Sequence, residues 1–316
     1  SNLYKFIAMV FYKNILRTCI VFFLLSGVSY SQFSGARDFL NSPLGQNDIN
    51  FEYNYISGGY SILPDVYAVE GNAFESLYSL TYTRNFSLGG KSASVEATLG
   101  YGHINSSGMA FYLQSSIDTI AVDANSSTGG ITDLSFVFTS NIIGAPAMNL
   151  KKFNNTNTNN SLLSARLFLS TPIGDYKKNQ IMNISTNNWI FVPEIAFSKP
   201  FGDNFNLDIY GNVTFFTNNT EFLDSNVFAE NPVYGIDLHP SYTIIPSLDM
   251  WISLDGMLRF YDESSVNGVD QDNAYKFLMI GTTLEVSLSD EQSLSLQYLN
   301  NLFLGTDTPD NWQIFV

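Results

Sequence analysis

Few residues of this 316-residue chain have the types and spacing that chemistry needs. The stretch "YGHINSSG" sets His103 three residues before Ser106, a base and a nucleophile for acyl transfer if the two could meet. In an extended strand, side chains three apart point to opposite faces, so the pair reads as the start of an ordinary loop. Asp270 and Asp272 in "NGVDQDNA" offer oxygen ligands to calcium, but the full spaced run of donors is missing and a solvated loop explains them. Gly100 and Gly102 open a Gly-x-Gly pair, yet Asn105 stands where the third glycine of a nucleotide fingerprint belongs, and no helix follows. His103 and His239 are too few for a histidine-rich metal centre, and Cys19 is the only cysteine. No catalytic constellation, metal or cofactor is expected.

The remaining charges sit in an unusual setting. In "NISTNNWIFVPEIAF" the residues Trp189, Phe191, Pro193, Ile195 and Phe197 alternate with Ile190, Val192, Glu194 and Ala196. One face is wholly apolar and the other carries a carboxylate. Such period-two alternation recurs in twelve stretches bounded by Asn, Asp, Gly, Ser or Pro: 49–55, 74–85, 92–101, 132–142, 161–170, 188–198, 205–216, 232–244, 250–261, 275–288, 293–302 and 312–316. The gaps after odd stretches are long (57–72, 102–129, 172–187, 217–231, 262–274), with the last, 303–311, shorter, and those after even stretches are mostly tight (86–91, 199–204, 246–249, 289–292). The Asn-rich connection 144–160 is the exception: either it protrudes at the turn end or the strands beside it pair differently. Charged residues make up 14% of the chain, against roughly 25% in ordinary soluble domains, while Phe and Tyr number 26 and 18.

The first residues differ from the rest. Lys13 and Arg17 precede the apolar run 19–25, and Ser29 and Ser31 frame a cleavage before Gln32. This reads as an export leader over 1–31, with 1–8 an upstream extension if Met9 is the start. The run is about half of the ~20 apolar residues a transmembrane helix needs. Cys19 leaves with the leader, and a lipoprotein reading fails because the apolar run follows the cysteine instead of preceding it. Loss of Lys5, Lys13 and Arg17 makes the mature chain still more acidic than the −15 of the whole sequence, which argues against a nucleic-acid partner.

Together these features imply an all-β fold: a transmembrane antiparallel up-and-down β-barrel of about 12 strands over 47–316, preceded by a periplasmic segment 32–46. A soluble sandwich would need a second sheet over the apolar face and strands about half as long. Placing each polar face inward lines the lumen with Glu52, Arg166, Phe168, Glu194, Asp208, Phe216, Asp237, His239, Trp251, Asp255, Arg259 and Glu285. Trp189, Phe191, Ile195 and Phe197 then meet lipid, and Pro193 interrupts the ladder, most easily at a bulge. His239 is expected near Asp237, and Asp255 near Arg259, four residues along the same strand face. Acid outnumbers base, which implies a modest preference for cations. Phe168, Phe216 and Trp251 form the expected apolar path.

Three segments also carry a family resemblance: "GGITDLSFVFTSNIIGAPAM" (129–148), "STPIGDY" (170–176) and "NISTNNWIFVPEIAFSKPFG" (183–202). With "GARDFLNSPLGQNDINFEYNYISG" (35–58), their order and spacing resemble the outer-membrane barrel family named for the MetA pathway of phenol degradation. The resemblance implies a transporter of the bacterial outer membrane, with outer-membrane lipid, the barrel assembly machinery and a small aromatic or hydrophobic solute as partners. Such barrels usually end in an aromatic residue; this chain stops at Val316 with Phe315 just before it. The expected function is a passive channel or uptake protein, not an enzyme. The alternatives are a structural or adhesive barrel working through its external loops and, behind that, a lipid-modifying barrel enzyme.

Overall fold

The computed structural model describes residues 34–303, apart from 63–66, 116–117, 124, 157–159, 181, 272–273 and 290. The expected leader, 1–31, and the last expected strand, 312–316, lie outside the described residues. Within them run β1 (Asn47–Ile62), β2 (Tyr67–Leu88), β3 (Lys91–Ser115), β4 (Asp118–Asp123), β5 (Ser126–Ile131), β6 (Ser135–Ile143), β7 (Leu162–Ser170), β8 (Ile190–Phe201), β9 (Phe205–Phe216), β10 (Asn219–Phe222), β11 (Asn226–Glu230), β12 (Val233–Ile245), β13 (Met250–Tyr261), β14 (Ser264–Val266), β15 (Val269–Asp270), β16 (Tyr275–Ser289) and β17 (Gln292–Phe303). One short helix, α1 (Leu150–Asn154), joins β6 to β7.

Every pairing in the main sheet is antiparallel, and neighbours follow chain order: β1-β2-β3-β6-β7-β8-β9-β12-β13-β16-β17. This is an up-and-down meander. Alternation decides its two faces. Ile49, Ile195 and Leu254 on one face are 75%, 53% and 66% exposed, whereas Asp208, Asp237 and His239 on the other are wholly buried. In water this arrangement would be inside out. In a bilayer the apolar face meets hydrocarbon and the polar face is turned away from it, which is how a membrane barrel divides its residues. By this fold the chain is a protein of the bacterial outer membrane.

The turn end is built for tight reversal. Gly89 and Gly90 hold φ of +56° and +78°, the left-handed pair that a two-residue hairpin between Leu88 and Lys91 requires. At the opposite end the long connections are not all irregular. The expected loop 102–129 is strand instead: β4, β5 and β6 succeed one another as a single broken neighbour of β3. The connections after β9 and β13 fold into a separate sheet, β10-β11-β14-β15. Beyond the bilayer a strand needs no apolar face, so ladder hydrogen bonds continue where alternation has stopped.

Two local expectations resolve differently. The connection 144–160 does protrude at the turn end: β6 and β7 pair directly, and the excursion carries α1, capped by Asn149 Oδ1 accepting from the Lys152 backbone. Bridges from Leu44 to Asn149 and from Lys91 to Pro146 fix it beside the β2–β3 turn. At Pro193 no bulge forms. The register with β9 is the same at Phe191 and Glu194, but Val192 and Pro193 have no partners there, whereas the β7 side pairs without a break. The missing N–H is accommodated by a gap in the ladder on one side.

Candidate functional site

The inner face does not stand empty. Residues 34–42, expected on the periplasmic side, run along it and touch side chains from five staves, β7, β8, β9, β12 and β13, which requires the sheet to curl around them. Ser34 Oγ donates to Glu194 on β8, and Arg166 on β7 donates to Ser34 at 2.6 Å while pairing with Asp38 at 3.4 Å. The Arg37 backbone N–H donates to Asp208 on β9 at 3.0 Å; its guanidinium donates to Ser241 and Thr243 on β12, both at 2.9 Å, and lies 4.9 Å over the Trp251 ring on β13. Tyr210 donates to the Gly35 carbonyl at 2.9 Å. Phe39, 1% exposed, packs 4.8 Å from the Tyr210 ring with the Arg166 guanidinium 4.3 Å from its ring centre.

Toward β2, β3 and β6 the fit is looser. A cavity of about 130 Å³ separates the segment from that wall, lined by Asp38, Asp48, Asn85, Ser92, Glu96 and Asn141 among others. The segment is bonded firmly to one side of the barrel and leaves a polar gap on the other.

The buried charges pair across strands. Arg259 grips Asp237 with both terminal nitrogens, Nη2 to Oδ2 at 3.0 Å, and Asn212 bridges Asp237 to Glu194 at 3.4 and 3.1 Å. His239 Nδ1 lies 2.8 Å from Asp255 Oδ1, whose carboxylate also accepts from Ser253 and Thr283. This corrects the expected partners: His239 belongs to Asp255, and Arg259 to Asp237. Residues two and four apart along a strand are separated by roughly 7 and 13 Å, while adjacent strands lie about 5 Å apart, so the neighbouring stave wins. Gly235 makes the Arg259 arrangement possible, since a Cβ there would stand 2.8 Å from Nη1.

A second cluster closes the loop end. Opposite Leu99 and Gly100 of β3, the partner chain passes Thr132, Asp133 and Leu134, one residue more than the register requires, and this bulge frees Asp133 from the ladder. Its carboxylate accepts four hydrogen bonds: from Gly174 N (2.8 Å), Ser185 Oγ (2.7 Å), Thr186 N (3.0 Å) and Thr186 Oγ1 (3.3 Å). Asp175 accepts another from Ile131 N at 2.7 Å. The three resemblance segments thus meet at one point and draw the β7–β8 connection onto the inner wall, where Ile184 would touch any side chain at Gly102. Asp133→Ala is expected to release this connection. Limited trypsin digestion of the folded protein checks it: cleavage after Lys177 or Lys178 should become fast in the variant and stay slow in the wild type.

All twelve candidate lining residues lie on the inward side of their strands, but not in one role. Glu194, Asp208, Trp251 and Arg166 hold the N-terminal segment, while Asp237, Arg259, His239 and Asp255 pair with one another. Glu52 lies in register with buried Ser79, and Glu285 with Trp251. Phe168 and Phe216 are half-buried. His103 is exposed on the outer face and Ser106 is buried on the inner one, so they do not meet. Asp270 is exposed on β15, and Asp272 lies outside the described residues. Among the described residues, no group of three or more His, Cys, Asp or Glu could hold a metal ion. Sequence reasoning missed Ser34, Arg37, Asp38 and Phe39; a charged pair and a large aromatic in so short a non-periodic stretch were the available signal. It also missed the cluster Met257, Phe277, Met279 and Leu299, with Tyr261 and Tyr275 stacked beside it at 4.5 Å.

Comparison with known proteins agrees with this architecture. No curated protein matches the chain significantly. A crystallised outer membrane channel from Pseudomonas putida F1 is similar in structure: TM-score 0.68 at 19% identity, over 86% of this chain and 93% of that one. The family model described as "Putative MetA-pathway of phenol degradation" matches residues 55–312, and the chain belongs to that family.

Proposed function

We propose that this protein is a channel through which small solutes, aromatic or hydrophobic ones among them, cross the outer membrane by passive diffusion. The observation that carries the reading is the polar inner face, which encloses a short segment of the chain itself and leaves a gap beside it. A barrel serving only as scaffold could fill its interior from the walls. Here the obstruction comes from a separate segment, bonded to one side, and a route past it follows from the looser side. The fold shared with an outer membrane channel supports passage through the barrel, and the family's link to phenol degradation supports an aromatic solute.

Phe168 and Phe216, half-buried on the inward side of β7 and β9 toward the loop end, offer a solute apolar contacts ahead of that gap, because rings stack on rings. Trp251, expected beside them, is covered by Arg37 and takes no part while the segment is seated. In proteoliposomes the protein should speed entry of a small neutral aromatic alcohol over that of a sugar of similar mass. Phe168→Ser with Phe216→Ser should lower the aromatic flux several-fold and spare the sugar. Equal loss of both fluxes would make the rings structural.

The external sheet β10-β11-β14-β15 favours a second reading, a barrel that works through its external surface. Absence of any solute flux would favour it. No enzymatic step is part of either reading.

A further inference from the structure

The cations outside the lumen are unevenly placed. At the turn end, Arg84 on β2, Lys91 on β3 and Lys199 on β8 all fall on the outward side of their strands, the side of Tyr82, Val95 and Phe197. Between these staves the β6–β7 connection adds Lys151 and Lys152, both exposed on α1, and the Lys91–Pro146 bridge holds that connection beside the β2–β3 turn. The five cations therefore occupy one continuous arc, β2-β3-β6-β7-β8. Among the described residues none of them forms an ion pair, and no carboxylate shares the outward side of these staves in their turn-proximal half. The rest of the rim has the opposite sign: the β8–β9, β12–β13 and β16–β17 turns carry Asp203, Asp249 and Glu291 and no Lys or Arg.

Outward cations next to exposed apolar side chains stand at the height where hydrocarbon gives way to headgroups. A long Lys or Arg there lays its stem along the apolar wall and presents its charge to a phosphate. An acidic protein partner would find three of the five cations at lipid level instead of beyond the membrane. We infer that this arc of the periplasmic rim binds anionic phospholipid of the inner leaflet, through the phosphodiester headgroup, and orients the barrel relative to its lipid neighbours. The inference depends on the barrel fold and not on which solute passes.

Native mass spectrometry of the full-length protein, equilibrated with equal amounts of phosphatidylglycerol and phosphatidylethanolamine, tests it. Wild type should retain phosphatidylglycerol preferentially. Lys91→Gln, Lys151→Gln, Lys152→Gln and Lys199→Gln together should cut that preference by about fivefold or more. Arg84 is left in place because it also donates to the Gly45 carbonyl at 3.1 Å and to Asn47 Oδ1 at 2.7 Å. Lys177→Gln with Lys178→Gln, at the other end of the barrel, should leave it unchanged. Equal retention of the two lipids by wild type, or an unaltered preference in the four-lysine variant, overturns the inference. So does displacement of the lipid by inorganic phosphate at equal concentration, which would mark a free-anion site, or photo-crosslinks from position 151 that reach protein and not lipid.

Discussion

Deleting residues 34–42 is expected to raise single-channel conductance several-fold while the barrel still folds. The segment contributes Ser34, Arg37, Asp38 and Phe39 to the lumen, and no strand of the main sheet depends on it for its ladder. Its removal leaves Glu194, Asp208 and Arg166 facing water, where their charges are hydrated, so the cost to stability is moderate. A milder variant probes the same point. Arg37→Ala removes the bonds to Ser241 and Thr243 and the contact with Trp251, yet keeps the backbone bond to Asp208. It should give a conductance that flickers between the low and high levels. Planar-bilayer recordings of the three proteins check the order; equal conductance in all of them would mean that the segment does not obstruct the path.

The largest expected loss of stability comes from Arg259→Met. This change leaves the Asp237 carboxylate, wholly buried, with only the 3.4 Å bond from Asn212 among the side-chain partners described above. Removing one partner of a buried pair costs about 3–5 kcal/mol, because the remaining charge keeps its desolvation penalty. Replacing both, Arg259→Met with Asp237→Leu, should recover most of that loss. The expected partner from sequence, Asp255, offers a control. Asp255→Asn with Arg259 intact should disturb His239, Ser253 and Thr283 but leave the Arg259–Asp237 pair whole. Urea unfolding in lipid vesicles, arranged as a double-mutant cycle, measures the coupling. A coupling between positions 237 and 259 no larger than that between 255 and 259 would reject the pairing.

Legibility in the sequence followed the membrane. Where a strand crosses lipid, every second residue must be apolar, and the expected strands 205–216 and 250–261 coincide with β9 and β13 at both ends. The same alternation put Glu194 inward, 5% exposed, and Ile195 outward. Outside the bilayer that constraint ends, and β4, β5, β10, β11, β14 and β15 went unread because they pair without an apolar face. The N-terminal segment was illegible for a related reason. "SGARDFLNS" has no period, and its place in the lumen is set by hydrogen-bond partners 105 to 206 residues away in sequence, from Pro146 to Thr243. Likewise, the lining residues could be named from parity alone, but which of them pair depends on strand register. Register brings Gly235 opposite Arg259 and thereby opens the inner face to the guanidinium.

The acidic character of the lumen survives these pairings. Glu52, Glu96, Glu285, Asp38 and Asp48 remain on or beside the inner face without a described Lys or Arg ion pair except that of Asp38 with Arg166, and Asp38, Asp48 and Glu96 line the gap itself. Carboxylates along a narrow path raise the local concentration of cations, most strongly when salt is dilute. The most direct measurement of the channel reading is therefore the reversal potential of the intact protein in a planar bilayer under a salt gradient. A small conductance with cation preference, strengthened at low ionic strength and weakened by Glu96→Gln with Asp48→Asn, is the expected result. A silent bilayer with both the intact chain and the 34–42 deletion, under conditions where both are folded, would contradict it.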